Sequence, residues 1–152
     1  MKRIIAFILM VIFALSLQPV YADEIASEVE YLEDGYYYET VIESETPEGV
    51  QQQSTTKTKS KTVYLKNSKG AVQWYVKVTG TFSYGSGSAK CTAASATAAS
   101  KAAAWKISDK SSSRSGNAAT AKATAKRYVD GSVAETKHKS VTLKCSPAGK
   151  FS

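Results

Sequence analysis

The sequence predicts an all-β chain, a single antiparallel β-sandwich of about six strands built from hairpins. Three observations predict it. Long stretches alternate bulky apolar and polar residues, as the two faces of a strand require. Short polar or glycine-bearing turns separate those stretches. The one segment of high helix propensity lacks the stripe of large apolar residues that would dock a helix.

Residues 1–22 read as a secretory signal peptide. The basic start MKR precedes a 14-residue apolar run, IIAFILMVIFALSL, and QPVYA ends with Val20 and Ala22 at cleavage-compatible positions. The run is too short to span a bilayer comfortably. Cutting after Ala22 leaves 130 residues, a size suited to one domain. No cysteine follows the apolar run to carry a lipid, and KCSPAGKFS offers no apolar tail. The product is therefore expected to be secreted, extracellular or loosely associated with the cell wall.

Residues 23–50 form an acidic arm with ten carboxylates and no basic residue. In DEIASEVEYLEDG, Ile25, Val29 and Leu32 stand at helical spacing, with acids in the first turn and Gly35 placed as a cap. That predicts a short helix or a partly disordered leader, followed by an extended YYYETVIES. Residues 51–152 are the basic body, where eighteen Lys and Arg face only Asp109, Asp130 and Glu135, a net +15. The sharper expectation for the arm is that it lies against this body, its tyrosines adding contact area, and screens the charge.

In the body, TKTKSKTVYLK and AVQWYVKVTGTFSY flank NSKG and read as a hairpin. Val72, Trp74, Val76, Val78, Phe82 and Tyr84 share one parity, and Gln73, Lys77, Thr79, Thr81 and Ser83 the other. CTAASATAASKAAAW, from Cys91 to Trp105, is helical by propensity alone. Alternating neighbours and the missing apolar stripe favour two strands instead, about Lys90–Ala98 and Ala102–Arg114. AATAKATAKRYV and SVAETKHKSVTLKC flank Asp130-Gly131, the strongest short hairpin signal in the chain. Two parity conflicts stand. Lys57, Lys59 and Lys61 share a face with Val63 and Leu65, and Lys137 and Lys139 share one with Val141, Leu143 and Cys145. Either each strand carries a β-bulge, or only its second half covers the core.

Leu, Ile, Val and Phe make up only twelve of the 102 residues from Gln51 onward, a composition that leans towards disorder. Regular placement opposes that, and so would a cross-link. Two cysteines in an exported chain most often pair. A Cys91–Cys145 bridge would close a loop of about 55 residues, worth roughly 4 kcal/mol in the chain-entropy model, with free thiols or an intermolecular bridge as alternatives.

Chemistry is sparse. His138, the only histidine, sits in KHK and reads as a surface residue. Asp109, Asp130 and Glu135 make a weak carboxylate set for hydrolysis, and Asp130 already belongs to a turn. Phosphate-loop, calcium-loop and zinc spacings are absent from the sequence, and two cysteines with one histidine make a poor ligand set. No enzyme, metal or cofactor is expected. What remains is a lysine-studded sheet of Lys57, Lys59, Lys61, Lys122, Lys126, Arg127, Lys137 and Lys139. It suits polyanions, although lysines also simply guard sheet edges. Trp74, Tyr75, Tyr84, Trp105 and Tyr128 read as core before they read as sugar platforms.

From about Thr55 to Gly149 the chain resembles small secreted proteins of Gram-positive bacteria grouped as a domain of unknown function. The segments that carry this are TKTKSKTVYLKNSKGAVQWYVKVTGTFSYGSGSAKCT, WKISDKSSSRSGNAATAKATAKRYVDG and HKSVTLKCSPAG. The resemblance implies an exported β-domain with a Cys91–Cys145 bridge and brings no activity. The order Cys91, Trp105, Cys145 also mimics an immunoglobulin sandwich, but Leu143 stands where its tyrosine is expected. Only the broad architecture carries over.

For function, the sequence points to a secreted, non-enzymatic binding protein for anionic cell-wall polymers, acidic glycans or an anionic lipid surface, without specific nucleic-acid recognition. The alternative is a membrane-active, bacteriocin-like protein with the arm as inhibitory leader, which requires the alanine-rich segment to become helical in lipid.

Overall fold

A computed structural model describes residues 27–44 and 56–152. The signal-peptide reading and Ile25 lie outside them. Eight strands follow in order: β1 (Ser27–Tyr31), β2 (Tyr37–Ser44), β3 (Thr56–Lys66), β4 (Val72–Gly85), β5 (Ser88–Ser100), β6 (Trp105–Ser115), β7 (Ala118–Val129) and β8 (Ser132–Lys144). Consecutive strands pair antiparallel in two meanders, β1-β2-β3-β4-β5 and β6-β7-β8. The sheets pack face to face, chiefly through β5 on β6 and β7 and through β4 on β7 and β8. This is the expected all-β sandwich. The body supplies six strands, and the arm supplies two more.

The arm departs from the helix expectation. Ser27–Tyr31 is a strand, with all five residues exposed. Three apolar residues at helical spacing were too thin a stripe to dock a helix, and Val29 stays 43% exposed. A backbone ladder to β2 holds the segment instead, and β2 pairs with β3 from Tyr37↔Lys66 to Ser44↔Lys59. Tyr38 enters the core, edge-on to Trp74 with ring centroids 6.4 Å apart. Tyr36 meets Trp105 in the same way at 6.3 Å. The described part of the arm, residues 27–44, is an integral part of the sheet.

Turn chemistry fixes the hairpins. Asp130 and Gly131 have φ of 50° and 80°, the paired positive values of a tight hairpin turn that matches strand twist. Ser86-Gly87 does the same at 50° and 79°. In the β3–β4 loop the Asn67 side chain accepts from the Lys69 and Ala71 amides, which shapes NSKG.

The alanine-rich segment is extended. Cys91–Ser100 belongs to β5, residues 101–104 turn the corner between the sheets, and Trp105 opens β6. Membership of a paired sheet overrides intrinsic propensity here. A one-residue shift of register between Thr81↔Ala93 and Phe82↔Cys91 makes Thr92 a bulge. Cys91 therefore points inward together with Ala94, Ala96 and Ala98.

Both lysine parity conflicts resolve without a bulge at the lysines. Lys57, Lys59 and Lys61 pair with Phe82, Gly80 and Val78, and Lys137 and Lys139 pair with Ala125 and Ala123, all in continuous register. These lysines share the core-facing side, and only the second half of each strand covers the core.

The disulfide expectation is corrected: Cys91 and Cys145 are free thiols, both buried. They lie on different sheets, and each sulfur faces a carbonyl of its own segment, Ala93 O at 3.2 Å and Ser146 O at 3.4 Å. Burial raises the pKa of both thiols. The core is apolar without their bond. It combines Leu65, Trp74, Val76, Val78, Phe82, Trp105 and Leu143 with Ala119, Ala121, Ala123 and Ala125.

Candidate functional site

The eight basic residues expected to form one cationic surface divide between different faces. Lys57, Lys59, Lys61, Arg127, Lys137 and Lys139 share the parity of inward-facing neighbours, while only Lys122 and Lys126 lie on the outer face of the three-stranded sheet. Lys59 lies 5.9 Å from the centre of the Phe151 ring, at the margin of the core.

At the open side of the sandwich, the β1–β2 hairpin meets the start of β8. Lys137 Nζ donates to Asp34 Oδ2 and pairs with Glu135 Oε1, both at 2.7 Å. Glu135 is itself held by Arg127 Nε at 3.0 Å. Lys139 Nζ reaches Glu30 Oε2 at 2.7 Å and lies 3.9 Å from the centre of the Tyr38 ring. The Lys137 hydrogen bond holds Asp34 below the ordinary carboxylate value, against desolvation. Burial works to lower the Lys137 pKa, but its two carboxylate partners outweigh it and the value is raised. Burial pushes Tyr38 up to about 12, with the Lys137 charge opposing. Elsewhere Glu39 pairs with Lys66, and Glu43 pairs with Lys77 at 3.8 Å. Four of the arm's carboxylates, Glu30, Asp34, Glu39 and Glu43, thus pair with lysines of the body.

The outer face of the three-stranded sheet is arranged differently. Alternation on β7 sends Ala119, Ala121, Ala123 and Ala125 inward and Lys122 and Lys126 outward. Lys106 on β6 stands directly across from Lys126, and Lys144 shares the same side through its pairing with Ala118. Lys106 also lies 5.0 Å from the centre of the Tyr128 ring. Hydroxyls fill the spaces between, with Thr120 and Thr142 hydrogen-bonded at 2.9 Å. Among the described residues no carboxylate pairs with Lys106, Lys122, Lys126 or Lys144. The sequence reading missed Lys106 and Lys144, because only the strand register reveals that they join Lys122 and Lys126.

His138 lies on this same exposed face, its Nδ1 2.9 Å from Thr124 Oγ1. A hydroxyl beside an imidazole is the start of a nucleophile–base pair. Here it is a cross-strand contact on an open sheet, and Asp109 stands across from Thr124 rather than behind the ring. A shallow depression at the β4–β5 tip, lined by Ser83, Tyr84, Gly85, Ser86, Ser88 and Lys90, has no carboxylate in its wall. Among the described residues no group of three His, Cys, Asp or Glu could hold a metal ion, and no helix is long and apolar enough to cross a membrane.

The chain matches no family model, no curated protein and no solved structure.

Proposed function

We propose that this chain is an exported, non-enzymatic binding protein that meets anionic polymers of the cell envelope with the outer face of its three-stranded sheet. One observation carries the reading: the cations of the three-stranded sheet differ in their partners from one face to the other. Those on core-facing sides include Lys137, Lys139 and Arg127, which are neutralised by carboxylates of the same molecule. Those on the outer face, Lys106, Lys122, Lys126 and Lys144, have no such partner among the described residues. Lys106 and Lys126 are immediate cross-strand neighbours, an arrangement that like-charge repulsion disfavours unless a counter-anion is supplied. An extended polyanion lying across the sheet supplies it. Lysines provide charge without directed readout, so the reading covers anionic wall polymers and acidic glycans as a class.

The test is retention of the purified protein on isolated cell walls across a salt series. Retention at low salt that falls steeply as salt is added is expected, since exposed charges are screened within about 10 Å at 0.1 M. Replacing Lys106 and Lys126 by Gln should lower low-salt retention by about tenfold. Absence of retention at low salt removes the reading.

A further inference from the structure

We propose that Lys137 and Lys139 form a second anion subsite, which the chain's own Glu30 and Asp34 occupy in place of the carboxylates of an acidic polysaccharide. The inference rests on the polyanion reading above and locates a masked part of that surface. The two lysines are the more enclosed partners: their side chains are 15% and 21% exposed, against 39% for Asp34 and 61% for Glu30. Tyr38 and Tyr36 hold the ammonium groups in place from the core side, 3.9 Å and 5.7 Å from their ring centres. The cations are therefore fixed from within, and their carboxylates arrive from solvent.

The strand that brings Glu30 is also the most weakly anchored in the sheet. All five residues of β1 are exposed, and its ladder runs to β2 alone. An element that buries so little apolar surface opens at small cost. Release of β1 uncovers Lys139 and breaks the Glu30↔Tyr38 ladder step, while Tyr38 stays paired with Leu65 on β3 and packed against Trp74. Lys137, still neutralised in part by Glu135, is freed when Asp34 moves.

The contacts also say what kind of polymer fits. Among the described residues, the hydrogen bonds and ion pairs between this hairpin and β8 run through carboxylate oxygens, and no backbone hydrogen bond joins the two. The subsite reads carboxylates and does not select a peptide chain. A stiff polymer with regularly repeated carboxylates, a polyuronate, meets that requirement.

The experiment compares two double variants of equal charge. Glu30→Gln with Asp34→Asn frees the lysines. Glu28→Gln with Glu33→Gln makes the same charge change on the same hairpin, at residues that pair with no lysine. Affinity for polygalacturonate is measured at low salt for both and for the unaltered chain, with circular dichroism confirming the fold. The first variant should gain about fivefold or more and the second less than about twofold. Adding Lys137→Gln and Lys139→Gln to the first should cancel the gain. Equal gains in the two variants overturn the subsite and leave the polyanion reading standing. A preference of the first variant for polyglutamate over polygalacturonate overturns the assignment to a glycan. No binding by any form, the unaltered chain included, overturns the polyanion reading itself.

Discussion

Strands β4 and β7 are each flanked on both sides in their sheet and each alternates along its core-covering length, yet they fill the sandwich in opposite ways. β4 sends Trp74, Val76, Val78 and Phe82 inward, and β7 answers with Ala119, Ala121, Ala123 and Ala125. One strand contributes volume, and the other makes room for it. Facing sheets lie roughly 10 Å apart, so bulk on both inner faces would force them apart and smallness on both would leave voids. The contrast explains how a body poor in Leu, Ile, Val and Phe still closes a core. A few large rings do the filling, and the alanines let them reach the opposite backbone. At Gly80 the approach is close. An added Cβ would lie 2.5 Å from Phe82 Cε2 and 2.9 Å from Ala119 Cβ.

The comparison predicts opposite failures on the two strands. Trp74→Ala should have the largest effect, a loss of about 3–5 kcal/mol in denaturant unfolding, because it opens a void that the alanines cannot fill. Ala121→Leu should destabilise by about 1–3 kcal/mol for the contrary reason, since there is no space for its added methylenes. Gly80→Ala should fall in the same range despite being the mildest chemical change, because Ala119 is backbone-fixed and cannot yield. If Ala121→Leu stabilised the fold, the division of labour between the two strands would be wrong.

Much of this was legible in the sequence, because alternation and turn residues are local signals. The Asp130-Gly131 hairpin, the β3–β4 hairpin and the extended course of the alanine-rich segment could all be read there. The bulge at Thr92 could not, because it depends on which β4 residue stands opposite. The strand at Ser27–Tyr31 was hidden by an accident of spacing among Ile25, Val29 and Leu32, and what decided it was the availability of β2 as a partner. The cationic surface was legible as a charge count but not as a place. Lys137 and Lys139 looked like surface residues until the hairpin register brought Asp34 and Glu30 to them. Lys106 and Lys144 carried no pattern until β6 and β8 were set beside β7.

A sharper probe separates the arm from the body. Tyr38 ties the hairpin to Trp74, and its phenol, ordinarily near 10, is pushed up to about 12 by burial. The unfolded chain therefore releases this proton at lower pH than the folded one. The contribution is fully present below pH 10 and is lost as pH rises from 10 to about 12, where the unfolded state binds fewer protons. Unfolding followed across that window should show stability falling with pH. Tyr38→Phe, which keeps the ring against Trp74, should remain folded at neutral pH and show a smaller fall. An unchanged alkaline profile would place the cause elsewhere in the molecule.

The smallest expected effect is none at all, and it bears on what holds β4 and β7 together. A bridge between Cys91 and Cys145 would have linked the two sheets covalently and given a different reason for their closure. The thiols are instead separate, buried and raised in pKa, so the fit of rings to alanines has to suffice. A thiol reagent should therefore react slowly with the native protein at neutral pH and find two thiols per chain after denaturation, because the thiolate is the reactive form and burial suppresses it. Adding a reductant should leave the melting temperature unchanged. A bridge of that loop length is worth roughly 4 kcal/mol, which in a domain of this size shifts the melting temperature by well over 10 °C, so the two outcomes are far apart. A large drop on reduction would show that packing between the sheets is insufficient by itself, and the contrast between β4 and β7 would then describe how the core is filled without explaining why it stays closed.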